Sequence, residues 1–222
     1  MSNINQGKKR RAVLLGATGL VGRFTLQYLL ESPHYQEIIA LTRRKLDIDN
    51  PKLLVAVVDF NNLDQNSELF NVDDVFCCLG TTIKTAGSKA AFRLVDHTYP
   101  VEIARLCKEK GAGTFSVISA VGANADSKIF YNRTKGEMEQ ALRQLSFDGL
   151  LIYRPSLLVG KRKEVRFGER VAIIIATIFS PFFLGPLRKY QPIHAESVAA
   201  AMVSNATNNP VAVSIYESDQ IK

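Results

Sequence analysis

The sequence predicts an α/β fold built on a doubly wound parallel sheet, with a small substrate lobe toward the C-terminus. Two observations carry this. Short apolar runs alternate with amphipathic helical stretches along most of the 222 residues, and parallel strands need long crossovers of that kind. Between the first apolar run and the first helical one lie Gly16, Gly19 and Gly22. Glycines at that place mark the phosphate-binding turn of a Rossmann-type sheet.

The elements follow in order. Strands are expected at Arg11–Leu15, Glu37–Leu41, Leu53–Val58, Asp74–Cys78, Thr114–Ser119, Leu150–Tyr153 and Val211–Tyr216, and helices at Leu20–Glu31, Lys89–Lys110, Ile129–Leu145 and His194–Asn205. Right-handed crossovers then place helices on both faces of one sheet. Pro100 falls inside the longest helix, where a missing N–H and a ring clash predict a kink or break. The alternation stops between Pro155 and Pro192. The expectation is a single domain over residues 1–222, with 155–192 a small substrate or partner lobe inside it. That lobe holds the apolar run Val171–Leu184, interrupted by Pro181. Fourteen residues are too few for a bilayer, which needs ~20. Three readings stay open: a helix packed under the lobe, an apolar wall for a greasy ligand, or a surface dipping into a membrane.

Composition removes other classes. The chain is 46% apolar and carries a net charge of +7, with basic clusters at Lys8–Arg11, Arg43–Lys45 and Lys161–Lys163 with Arg166. No aromatic-interleaved basic motif or helix-turn-helix pattern accompanies them, which argues against nucleic acid. The first ten residues are polar and basic, with no apolar stretch and cleavage site after them, so no signal peptide is expected. Three cysteines in no metal-ligand spacing, two of them adjacent in a strand, point to a reducing cytoplasm. His34, His97 and His194 are scattered, so no metal is expected. There is no Gly-x-Ser-x-Gly elbow and no phosphate-gripping lysine after the glycines.

The glycine turn specifies a dinucleotide. One glycine allows the tight turn, one the close approach of a pyrophosphate, and one the close packing of helix on strand. The loop of Gly16, Thr18, Gly19, Leu20, Val21 and Gly22 would wrap the phosphates, which meet the free N–H groups and positive end of the helix. An acidic residue at the end of the second strand would select NAD; here Arg43 and Arg44 stand there instead, suited to a 2′-phosphate. Arg23 could join them from the first helix. NADP is the expected cofactor, with Asp59 and Phe60 beside its adenine.

The candidate chemistry lies further on. Tyr131 and Lys135 are one helical turn apart and share a face. An ammonium beside a phenol lowers its pKa from about 10, making Tyr131 an acid/base for a hydroxyl or carbonyl oxygen. Ser119, at the carboxyl end of the fifth strand, could donate to the same oxygen.

Taken together, Gly16-Ala-Thr-Gly-Leu-Val-Gly22, Cys78-Leu-Gly-Thr-Thr82, Ser119, Tyr131-Asn-Arg-Thr-Lys135, Arg154-Pro-Ser156 and Ile193-His-Ala-Glu-Ser-Val198 resemble the short-chain dehydrogenase/reductases. The likeness is to their atypical branch, the Tat-interacting oxidoreductase-like subgroup and its bacterial relatives. The resemblance implies that Leu79, Gly80 and Thr81 run along the cofactor, that Lys135 also contacts the nicotinamide ribose, and that Pro155 and its neighbours cover the nicotinamide. Where the family carries a proton-relay asparagine, this chain has Asp96, which when ionised accepts but cannot donate. The leading expectation is an oxidoreductase reducing a carbonyl or oxidising an alcohol of a small, apolar substrate, as a monomer or small homo-oligomer. A non-catalytic NADPH-dependent binding protein and a peripheral membrane protein are the alternatives.

Overall fold

The computed structural model describes residues 9–160 and 185–221. Seven parallel strands form the sheet: β1 (Arg10–Leu15), β2 (Tyr35–Thr42), β3 (Leu53–Val57), β4 (Asp74–Cys77), β5 (Thr114–Ile118), β6 (Gly149–Arg154) and, numbered after the short pair below, β9 (Ala212–Glu217). They lie in the order β3-β2-β1-β4-β5-β6-β9. The direction of winding reverses between β1 and β4, which opens a crevice at their carboxyl ends. In β1, Ala12 and Leu14 face one core and Val13 and Leu15 the other. Both faces of the sheet are therefore covered, as an all-parallel sheet requires.

Helices α1 (Gly22–Glu31) and α6 (Ala195–Thr207) cover the first face. The second holds α4 (Tyr99–Glu109), α5 (Phe130–Gln144) and a 3₁₀ segment at Leu63–Phe70 that the sequence did not announce. Two short helices, α2 (Ile83–Ala86) and α3 (Lys89–Arg93), precede α4. They are capped by the hydroxyls of Thr82 and Ser88, which accept from Thr85 and Ala91.

Three expectations change. The first helix begins at Gly22 and not at Leu20, and Val211 lies outside β9. The long helix expected over Lys89–Lys110 is three pieces, with the single π turn Leu94–Thr98 between α3 and α4. Pro100 sits in the first turn of α4, where its missing N–H costs nothing. Its ring would crowd the Asp96 carbonyl in a continuous α-helix. The chain widens instead, and Tyr99 N–H bonds the Leu94 carbonyl five residues back.

In the lobe, β7 (Leu158–Val159) pairs in parallel with β8 (Ile193–His194), and a 3₁₀ turn spans Gly185–Tyr190. The basic run Lys161–Lys163 with Arg166, the apolar run Val171–Leu184 and Lys8 lie outside the described residues. Among the described residues no helix is long and apolar enough to cross a membrane.

At the amino ends of the strands, Asp74 is fully buried and takes bonds from Arg10 and from the Tyr35 hydroxyl, the latter at 2.8 Å. Burial pushes its carboxyl up to about 6, against the pull of Arg10. The folded chain thus holds this proton from about pH 4 to 6, where the unfolded chain has released it. Folding stability must fall as pH rises through that window. At about 1.36 kcal/mol per unit the slope amounts to on the order of 3 kcal/mol. Melting curves of Asp74→Asn between pH 4 and 7 are expected to lack this decline while the parent shows it.

Candidate functional site

The site is built first from backbone crowding after β1. Gly16 has φ of +77°, and a Cβ there would lie 2.6 Å from the Cys78 carbonyl oxygen. Gly19 N–H donates to the Gly16 carbonyl at 2.8 Å. A Cβ on Gly22 would stand 2.0 Å from that same carbonyl oxygen, so α1 can start this close to the strand only with glycine. Gly19 is different: its Cβ would meet the Gly16 oxygen at 3.1 Å and little else. The entrance to α1 has neither a side-chain cap nor an acidic residue in its first turn. The Arg23 and Phe24 amides are taken by the Gly19 and Val21 carbonyls, which leaves the amides before them and the positive end of the helix to suit an anion. Arg23 adds a buried Nε with no partner, its guanidinium 4.7 Å from the Phe24 ring centre. Thr18 is exposed, Val21 is buried, and Leu20 packs where a Cβ on Gly160 would come within 2.8 Å. These features fit a dinucleotide pyrophosphate.

Beyond β2, Arg43 and Arg44 are exposed, and the Thr42 hydroxyl donates to the Arg44 carbonyl at 2.7 Å. No described carboxylate pairs with either arginine. Asp59 is more occupied than the sequence suggested. Its oxygens accept from the Asn61 backbone and side chain and from Asn62, which hold its carboxyl below its ordinary value. Three of about four acceptor positions are used, so an adenine amine finds at most one. Phe60 leans on Tyr99 with ring centres 5.3 Å apart.

The third group lies beyond β4, where Leu79, Gly80 and Thr81 pass over the π turn. Thr81 N–H donates to Asp96 Oδ2 at 2.9 Å. Asp96 Oδ1 lies 2.8 Å from Lys135 Nζ, and the two side chains are 1% and 3% exposed. Lys135 also donates to the Ile118 carbonyl at 3.3 Å. Asp96 is therefore an anchor joining α5 to the loop after β4, in direct ionic contact with Lys135 at the place of the family's relay asparagine. Tyr131 leans on Phe92 with ring centres 5.4 Å apart and planes tilted by 40°, and no described protein group bonds its hydroxyl. Burial raises its pKa, Lys135 lowers it and Asp96 raises it, with a net upward shift. The expected downward shift is thus reversed, chiefly because the phenol is buried, with Asp96 opposing the pull of Lys135. Burial pulls Lys135 down, yet Asp96 and then Tyr131 more than offset it, and its net shift is upward.

Ser119 ends elsewhere. It follows β5, is 4% exposed, and its hydroxyl donates to Glu139 Oε1. Its one O–H is already used, so a substrate oxygen would have to displace that carboxylate. Glu139 in turn takes 3.0 and 2.6 Å bonds from Arg154, which reaches Glu217 at 3.1 Å. Pro155 is buried and its carbonyl accepts from Val121 N–H at 3.1 Å, tying the ends of β5 and β6 together. Sequence reasoning gave no role to Glu139 or Gly136. A carboxylate on the core-facing side of α5 was the signal for the first. For the second it was a glycine inside a helix: a Cβ there would lie 2.2 Å from the Ala125 nitrogen.

Comparison with known proteins agrees with this geometry. A family described as NAD(P)H-binding matches residues 16–209. Protein HTATIP2 of Rattus norvegicus is 36% identical over 169 residues, covering 74% of this chain and 69% of its own. Protein FMP52, mitochondrial, of Eremothecium gossypii is 30% identical over 213 residues, 95% of each chain. The Bordetella bronchiseptica enzyme WbmH, solved in complex with NAD+, shares the fold with a TM-score of 0.71 at 14% identity, covering 94% of this chain and 76% of its own. The cytoplasmic expectation does not stand. Relatives matching almost the whole chain bear a mitochondrial designation, and unpaired cysteines report redox state, not address.

Removing one partner of a buried ion pair leaves an uncompensated charge. Asp96→Ala is expected to lose about 3–5 kcal/mol in urea denaturation, because Lys135 and the Thr81 amide both lose their acceptor.

Proposed function

The chain belongs to the NAD(P)H-binding family, within the atypical short-chain dehydrogenase/reductases, and from that premise we propose that it is an NADP(H)-dependent oxidoreductase acting on the carbonyl or hydroxyl group of a small, apolar molecule. The observation that carries the proposal is the Tyr131 hydroxyl, unbonded by any described protein group and one helical turn from buried Lys135. When bound, a nicotinamide cofactor supplies or accepts the hydride. Everything else falls to this chain's own residues.

The loop from Gly16 to Gly22, with Thr18, Gly19, Leu20 and Val21, holds the pyrophosphate against the start of α1. Arg43 and Arg44, with Arg23, hold the 2′-phosphate, while Asp59 and Phe60 border the adenine. Leu79, Gly80, Thr81 and Pro155 line the path to the reactive end. There Tyr131 exchanges a proton with the substrate oxygen, and Lys135 fixes the nicotinamide ribose. Ser119 serves through Glu139 and Arg154 as a buried brace between β5, α5 and β6. The lobe over 155–192 completes the substrate side of a single domain. The names of the FMP52 relatives support a mitochondrial location.

One observation favours a second reading, a binding protein that uses NADPH without turnover. The Ser119 hydroxyl is bonded to Glu139 and is not free to polarise a carbonyl. Turnover decides between the two.

Calorimetry is expected to give tighter binding of NADPH than of NADH, and Arg43→Ala/Arg44→Ala should erase the difference. Equal affinities in the parent protein would refute the cofactor assignment. With a panel of apolar aldehydes and ketones, NADPH oxidation by Tyr131→Phe should fall by about 10²–10⁴ with NADPH affinity retained. An undiminished rate removes Tyr131 from the chemistry, and no oxidation by the parent favours the binding protein.

A further inference from the structure

A lysine one turn from a tyrosine ordinarily presents the phenol with an unbalanced positive charge, which favours phenolate. Here that charge is balanced. Asp96 Oδ1 and Lys135 Nζ are 2.8 Å apart in a buried pair, and the other Asp96 oxygen is tied by the Thr81 amide at 2.9 Å. Lys135 is tied a second time by the Ile118 carbonyl. Neither partner can swing away without leaving a buried polar group unbonded. From Tyr131 the two charges are opposed and close together, so Asp96 offsets part of the ammonium's field, whereas a lone ammonium would act as a full charge. The pairing originates in the backbone: Pro100 forces the π turn, and Asp96 sits in that turn, pointing into the core beneath Thr81.

We infer that Asp96 is a positioning residue that balances the charge of Lys135 and keeps Tyr131 a proton donor, fitting the site to carbonyl reduction and not to alcohol oxidation. The inference rests on the proposed acid/base role of Tyr131. The charged groups acting on Tyr131 are Lys135 from its own helix and Asp96 from the π turn; Lys135 also faces Cys77 of β4. Phe92 and Phe130, the rings packed beside the site, add no charge. In reduction the carbonyl carbon accepts the hydride, the π electrons move to oxygen, and that oxygen takes the Tyr131 proton. The phenolate left behind recovers a proton from water. Oxidation needs the phenolate at the outset, and a phenol raised above the ordinary 10.0 offers little of it near neutral pH.

The test is a tyrosinate absorbance titration of the cofactor-free, full-length protein, with Tyr131→Phe subtracted to isolate this residue. In the parent, Tyr131 should ionise above pH 10. Asp96→Asn, which keeps an acceptor for the Thr81 amide, should bring the midpoint down by about 1–3 pH units as the Lys135 charge is unmasked. Asp96→Asn/Lys135→Met should return it to the parent value. A midpoint unchanged or raised in Asp96→Asn overturns the inference. If Asp96→Asn does not fold, Lys135→Met and the double variant decide. The single change should raise the midpoint by exposing the carboxylate, the double should restore it, and equal midpoints in the two overturn the inference. The titration needs no substrate, so the two ideas fail separately. Shifts as expected with no carbonyl reduced uphold the charge balance and sink the oxidoreductase reading; turnover without shifts does the reverse.

Discussion

The carbonyl oxygen of Gly16 lies 2.0 Å from where a Cβ on residue 22 would stand, and the rest of the cofactor side depends on that approach. It sets α1 close against the end of β1 at the place where the sheet reverses its winding. A helix start so placed, without a side-chain cap or an acidic first turn, turns its positive end and the amides ahead of Arg23 toward an anion. Gly16 adds the complementary constraint from below, since the Cys78 carbonyl occupies the position of its missing side chain. Three backbone segments thus meet with almost nothing between them. Gly19, by contrast, is far less crowded, with the Gly16 oxygen at 3.1 Å from where its Cβ would stand.

On the other side of the crevice the organising element is a proline. Pro100 prevents α3 and α4 from being one helix, and the chain answers with a single π turn. A turn with one extra residue changes which side chain points inward. The one that does is a carboxylate, and it is buried only because an ammonium and an amide meet it there. Burial of charge of this kind seldom adds net stability over an apolar alternative. Its worth lies in the geometry it imposes on the loop after β4 and on α5.

All seven strands, with their order along the chain, were legible because apolar runs and their spacing are local properties. The glycine turn was equally plain, since Gly16, Gly19 and Gly22 act on neighbours within a few residues. Most of what sequence reasoning got wrong depends on partners far apart in the chain or on burial. Lys135 was expected to lower the pKa of Tyr131. Burial of the phenol reverses the outcome, helped by Asp96, 39 positions before Lys135, which opposes the ammonium. Ser119 stood at the right end of the right strand, yet its hydroxyl is claimed by Glu139 on α5, which is held in turn by Arg154 of β6. Asp59 was placed correctly after β3, but the two asparagines that follow it fill most of its acceptor positions.

The short pairing of β7 with β8 carries a consequence for how such a chain can diversify. Leu158 lies in register with Ile193 and Val159 with His194, so the chain leaves Val159 and returns at Ile193 with those two points fixed to each other in a pairing separate from the large sheet. Once two points of a chain are held together, the entropy of closing what lies between them rises only as the logarithm of its length, about 0.6 kcal/mol for each doubling. Length gained or lost between those points therefore costs little, while the seven strands and the glycine turn keep their register. Selection for a new substrate has there a way to lengthen or shorten the chain without moving the sheet.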